Sequence, residues 1–307
     1  MRAPLAIPSE STGAAPRNEG FILVVVLVIL MALATLGTIY SLYALNTAAA
    51  SLAPEDRLRA EALVRAGVEL TALQLLSTPE AARPTHGVFD ARIGANKMRV
   101  AFVSEGARID LNVAPKEMLS ALFATFGVAK EKADAYAERI IGWRTRVDAN
   151  AANKEAAQYK TAAIPYAPRQ GPFDSVLELP LVMGLPEGLT ESVMPYVTVY
   201  NGKPSIDVEN AEPRVLSTLP GLTPAMLQDL ISARSKGEDG KTLLTRLGPA
   251  SSGATVDLAK GIRASMVIQL EKRRVTAEVV FALKTGGEEP YDILYWRDDF
   301  DGPLPQA

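Results

Sequence analysis

The only histidine in this 307-residue chain is His86, and there is no cysteine. Together these limit the available chemistry before any fold is considered. A serine relay would have to use His86 as its base, and a thiol nucleophile is excluded outright. His86 sits between Thr85 and Gly87 at the end of a break over residues 77–86 and reads as a solvated loop residue. No phosphate-binding P-loop, dinucleotide fingerprint or zinc spacing occurs. An anchored hydrolase therefore lacks a locatable nucleophile and base, and the chain reads as a non-enzyme. The acidic run Asp298-Asp299-Phe300-Asp301-Gly302 lies beside the C-terminus and reads as a solvated tail. The remaining chemical candidate is phosphate recognition. Leu219-Pro220-Gly221-Leu222-Thr223-Pro224, followed by Leu227, Leu230, Ile231 and Arg234, has the form of a helix-hairpin-helix. Such turns present backbone N–H groups to a DNA phosphate. This one carries no basic side chain before Arg234, and a net charge of -3 gives no general attraction to nucleic acid. A packing role fits better, and a membrane-anchored DNA-binding or uptake protein is the competing reading.

The elements that would carry these residues follow from patterning. No residue from Gly20 through Pro54 is charged. Phe21 to Leu45 exceeds the roughly twenty apolar residues that cross a bilayer core as a helix. The preceding leader holds two cations, Arg2 and Arg17, and two anions, Glu10 and Glu19, so its removal leaves the net charge unchanged. A plain signal anchor is one reading of the segment. A cleaved secretory signal is another, which Ala48-Ala49-Ala50 keeps open, although such signals have shorter apolar cores behind a basic start. Beyond Pro54 the pattern turns amphipathic, with Leu58, Ala62, Leu63, Ala66, Leu70, Leu73 and Leu76 at three-to-four spacing. This predicts a rod from Phe21 to about Leu76, or two helices broken near Pro54.

Residues 87–93 and 97–105 alternate around Gly94-Ala95-Asn96, and 274–283 and 291–296 alternate around Thr285-Gly286-Gly287; both pairs read as hairpins. The stretch between them reads as mainly helical and contains a degenerate repeat. Residues 109–122 align without gaps on 206–219, with Ile, Asp, Ala, Leu, Ser and Leu coinciding. Each copy predicts a short extended segment, a polar cap, a helix, a glycine turn and a second helix.

A polar leader ending in glycine, then Phe21 and a long apolar helix that becomes amphipathic, resembles a type IV pilin or pseudopilin precursor. The body is similar to the minor pseudopilin K of type II secretion, the general secretion pathway protein K family. The residues that carry the likeness are Asn112-Val113-Ala114-Pro115, Arg139 to Trp143, Tyr159 with Tyr166, Ser175 to Leu179 with Gly184, Tyr196 to Tyr200, and Asn210-Ala211 to Leu222. The resemblance implies cleavage after Gly20 by a prepilin peptidase and methylation of Phe21. It also implies a tip position. Most pilins carry glutamate as the fifth residue after the cut, where this chain has Val25; such a carboxylate pairs with the amino terminus of a neighbouring subunit.

The implied fold is α+β: a long N-terminal transmembrane and amphipathic helix packed on a small antiparallel, pilin-like sheet. Into it is inserted a large, mostly helical domain with two helix-hairpin-helix-like units. The expected organisation is a leader over 1–20, a transmembrane helix over 21–45, and the amphipathic helix and first hairpin over 46–106. The inserted helical domain follows over 107–272, then the C-terminal hairpin over 273–297 and a tail over 298–307. The implied role is that of a tip subunit initiating or capping the pseudopilus. Its partners would be minor pseudopilins I and J, and its place the inner membrane, single-pass, with the body in the periplasm. The resemblance further implies calcium just after the Trp-containing helix. There Thr145 and Val147 replace the expected acids, leaving Asp148 and Glu155 as candidate ligands.

Overall fold

A computed structural model of the chain describes residues 19–147, 153–270, 273–284, 286 and 289–300. The chain divides into two compact units, Met1–Leu58 and Arg59–Ala307. Helix α1, Glu19–Leu76, contributes to both, and its sequence runs through Pro54 without a break.

In the first unit, Leu23–Tyr43 is apolar enough to cross a membrane, with mean hydropathy 2.6 and none of it buried by protein. Both of its threonine hydroxyls bond within the helix: Thr38 donates to the Ala34 carbonyl at 2.9 Å and Thr35 to the Met31 carbonyl. A hydroxyl that bonds its own helix does not need water.

In the second unit, α1 lies on a sheet. Strands β1 (His86–Ile93) and β2 (Asn96–Ser104) form the first hairpin, turned by Gly94 at φ 60°. The helical insertion follows. It begins with β3 (Ile109–Asp110), α2 (Lys116–Ala124), α3 (Lys130–Arg144), α4 (Lys154–Thr161), α5 (Glu187–Val193) and β4 (Val197–Thr198). It continues with β5 (Ile206–Asp207), α6 (Pro213–Leu216), α7 (Pro224–Ser235), α8 (Gly240–Leu247) and β6 (Ala254–Thr255). The chain then returns through β7 (Gly261–Gln269), β8 (Arg274–Leu283) and β9 (Tyr291–Asp298). The five-stranded sheet has order β1-β2-β7-β8-β9, antiparallel throughout. The whole insertion thus sits between the neighbouring strands β2 and β7.

Three expectations need correction. The insertion ends before Gly261 rather than at 272, because residues 261–269 form a central strand. Ile262, Ala264, Met266 and Ile268 bury one of its faces, and β2 and β8 pair with its two edges. The face of α1 that meets the sheet is Ala60, Leu63, Val64, Val68, Thr71, Ala72 and Leu75, while Leu58, Leu70 and Leu73 are exposed. Small residues favour this: at Gly67 an added Cβ would lie 2.7 Å from Met266 Sδ and 3.0 Å from Met98 Sδ, so a larger residue would force those methionines to shift. The start of the expected tail is also ordered. Asp298 accepts from the Trp296 indole, Asp299 accepts from the Thr276 backbone N–H and hydroxyl, and Phe300 is buried. Asp301 lies outside the described residues.

Two hydrophobic cores result. One joins α1 to the inner face of the sheet. The other fills the insertion and centres on Phe123, Trp143, Tyr159 and Phe173.

Candidate functional site

Gly20 and Phe21 lie in the first turn of α1, and Val25 follows within the same helix, 39% exposed. No carboxylate stands at this point of the apolar span. His86 is the first residue of β1 rather than a loop residue, and it is exposed as expected.

The repeat is preserved as geometry. β3 pairs in parallel with β4, and β5 with β6. In each copy an aspartate accepts the backbone N–H two residues on: Asp110 from Asn112 at 2.7 Å, Asp207 from Glu209 at 2.9 Å. The expected polar helix caps do not form: Pro115 and Glu212, the N-cap residues of α2 and α6, make no side-chain cap bond. Burial pushes both carboxyls above the usual range. Hydrogen-bond donors oppose this, chiefly the Gly202 N–H at Asp110 and the Asn210 amide at Asp207.

Each copy is closed by an arginine from its second long helix. Arg144 donates to the Leu111 carbonyl and, at 2.7 Å, to that of Ala114; Arg234 donates to the Val208 carbonyl and, at 2.7 Å, to that of Ala211. Burial lowers both guanidinium pKa values, and Asp110 or Asp207 opposes the shift. The sequence alignment missed this equivalence because Arg144 lies 30 residues beyond Ala114, whereas Arg234 lies 23 beyond Ala211. Aligning past the glycine turn with a gap for helix length would have found it.

These bonds also bear on DNA recognition. Gly221 turns at φ 76°, and Thr223 caps α7 by accepting the Met226 N–H at 3.3 Å, as the sequence suggests. However, the first cation after the turn, Arg234, is committed to carbonyls. Arg214 before it lies over the Phe126 ring, 4.1 Å from the centroid, and donates to the Thr125 carbonyl. The hairpin is equipped for packing.

The sheet and the insertion meet at a buried carboxylate that the sequence reading did not single out. Glu105 is fully buried and accepts from Arg263 Nε at 2.6 Å, Arg108 Nη1 at 3.1 Å and the Thr198 hydroxyl. Arg263 also bonds Glu278 of β8 at 2.6 Å. Alongside, Thr85 donates to Glu209 at 3.1 Å and accepts from Asn210 at 2.7 Å. One charged node therefore ties β7 and β8 to Arg108, just ahead of β3, and to Thr198 of β4.

Of the implied calcium ligands, Asp148 lies outside the described residues. Glu155 stands on α4 with Oε2 3.1 Å from Arg139 Nη1 on α3. Among the described residues no group of three or more metal-ligating side chains occurs. The exposed apolar face of α1 borders a groove of about 1020 Å³, whose lining includes Ala66, Leu70, Leu73, Ile93, Tyr291 and Ile293.

Residues 100–202 match the family model for Type II secretion system (T2SS), protein K. No curated protein matches the chain in sequence. In fold the chain is similar to one from the crystal structure of the GspK-GspI-GspJ complex of the enterotoxigenic Escherichia coli type 2 secretion system. The TM-score is 0.57 at 15% identity, covering 80% of this chain and 97% of that one. The sequence match spans the end of β2 and the first part of the helical insertion. The chain is thus similar over residues 100–202 to protein K of type II secretion systems, and in fold to a chain of the GspK-GspI-GspJ complex.

Proposed function

We propose that the protein is the minor pseudopilin at the tip of a type II secretion pseudopilus, starting or capping the filament that helps export folded proteins across the outer membrane. The observation that carries this is the insertion between β2 and β7, in a fold shared with a chain of a GspK-GspI-GspJ complex. Its partners are minor pseudopilins I and J, and the exposed stripe of α1 together with the globular body offers the contact surface. Leader removal after Gly20 by a prepilin peptidase leaves Phe21 as the mature N-terminus. The apolar span sits in the inner membrane and the body in the periplasm. Val25 supports the tip position, because a subunit with none ahead of it has no use for the filament carboxylate. Residues 109–144 and 206–235 form two related helix-hairpin units whose role is packing.

Co-expression of the full chain with the host's own minor pseudopilins I and J tests this. The expected result is a complex of all three that survives size-exclusion chromatography in detergent. A chain that elutes alone while I and J co-elute would exclude the tip assignment.

A further inference from the structure

The implied calcium and the residues present do not agree. Calcium takes roughly six to eight oxygen ligands, carboxylates foremost. Here the stretch from Arg139 to Val147 contains three arginines and no acid. The Thr145 hydroxyl is turned onto the Ile141 carbonyl at 2.6 Å. Arg144 is committed to the Leu111 and Ala114 carbonyls. Of the described carboxylates that arrive, Glu178 is committed to the Trp143 indole at 3.3 Å and to Arg169 at 3.1 Å, while Glu155, 16% exposed, comes from α4 against the backbone of α3. A Cβ added at Gly142 would lie 2.9 Å from its Cδ and Oε2. It meets a cation there already, the Arg139 guanidinium. Its second oxygen, Oε1, is buried with no hydrogen-bond partner, which supplies one oxygen where the metal needs several.

We propose that the Arg139–Glu155 ion pair replaces a divalent cation in holding α4 against α3, so that the fold of this protein does not depend on calcium. The geometry favours the exchange. A guanidinium needs only carboxylate oxygens at hydrogen-bond distance, whereas a doubly charged ion inserted between Arg139 and Glu155 meets an adjacent positive charge. Gly142 is what allows the pair to form, because any side chain there would displace the carboxylate. Tyr159, one turn further along α4, then seats its ring near Trp143, with centroids 6.2 Å apart, and the pair fixes the register of the insertion core. This inference concerns how the insertion is held and does not depend on the filament position.

The test is thermal unfolding of the full chain in detergent, with added calcium chloride and separately with a chelator. Wild type should show the same Tm in both. Arg139→Gln and Glu155→Gln should each lower it, and the double variant should fall no further than the lower single variant, because each change removes the same bond. A saturable rise of the wild-type Tm with calcium that Glu155→Gln abolishes would overturn the inference, as would fully additive losses in the double variant. If the substituted chains fail to fold, wild type alone decides by direct calorimetric titration with calcium. Absence of heat supports the replacement, and a single saturable site overturns it.

Discussion

Glu105→Gln removes the charge at the joint between sheet and insertion while keeping its shape. Glu105 is fully buried and faces two guanidiniums, Arg263 at 2.6 Å and Arg108 at 3.1 Å. Breaking a buried ion pair from one side costs about 3–5 kcal/mol, because the partner charges stay buried without compensation. Arg263 keeps Glu278 at 2.6 Å and Arg108 keeps the Pro195 carbonyl at 3.1 Å, which places the loss near the lower limit, about 3 kcal/mol. In a domain of this size each kcal/mol shifts Tm by roughly 2–4 °C, so unfolding followed by circular dichroism should fall by roughly 6–12 °C. Arg263→Gln in the same background should add less than it costs alone, since the two residues share a bond. A fall below about 2 °C for Glu105→Gln, or strict additivity with Arg263→Gln, would refute the idea that this node locks the insertion to the sheet.

Three further outcomes follow from the same geometry. Gly261→Ala would place its Cβ 2.7 Å from the Tyr200 carbonyl oxygen, a backbone atom that cannot yield, and should cost about 1–3 kcal/mol in a urea titration. An unchanged midpoint would contradict the packing described at the start of β7. Arg234→Met leaves the Val208 and Ala211 carbonyls without their donor and should destabilise by about 1.5–3 kcal/mol, with Arg144→Met close behind. Equal stability of either variant with wild type would show that the clamps are incidental. Burial pushes the Tyr159 phenol up to about 12 from 10.0 while it accepts the Met183 N–H at 2.7 Å. The unfolded chain therefore loses this proton first. The phenol's contribution is intact below pH 10 and declines as pH rises from 10 toward 12. The difference in stability between wild type and Tyr159→Phe should shrink across that window, and a constant difference would mean that the phenol is not held neutral.

Much of the architecture could be read from short-range signals. The β1–β2 hairpin follows from strict alternation around a glycine that turns at positive φ, and α1 follows from an uncharged span continued by an amphipathic one. The repeat was visible wherever both copies have equal length. What could not be read is instructive. The helix α1 carries apolar residues on two faces, and periodicity cannot tell which face meets the sheet. Gly67 and Thr71 mark the close-packed side, yet neither counts as apolar. Strand β7 alternates Ile262, Ala264, Met266 and Ile268, but alanine and methionine are strong helix formers and β2 lies far back in the sequence. Phe300 and Asp299 resembled a tail because nothing local shows that Arg273 and Thr276 will bind them. The roles of Glu105, Arg144 and Arg234 could not be read for a related reason. Each acts through partners that only the tertiary fold brings near, and an isolated charge in sequence looks like a solvated one.

The intact mass and N-terminal residue of the protein isolated from membranes, with and without the host's prepilin peptidase, test the pseudopilin assignment most directly. The account predicts a mature chain beginning at methylated Phe21 only when the peptidase is present. An uncut chain in both samples would make the apolar segment a plain membrane anchor and contradict the tip-pseudopilin role.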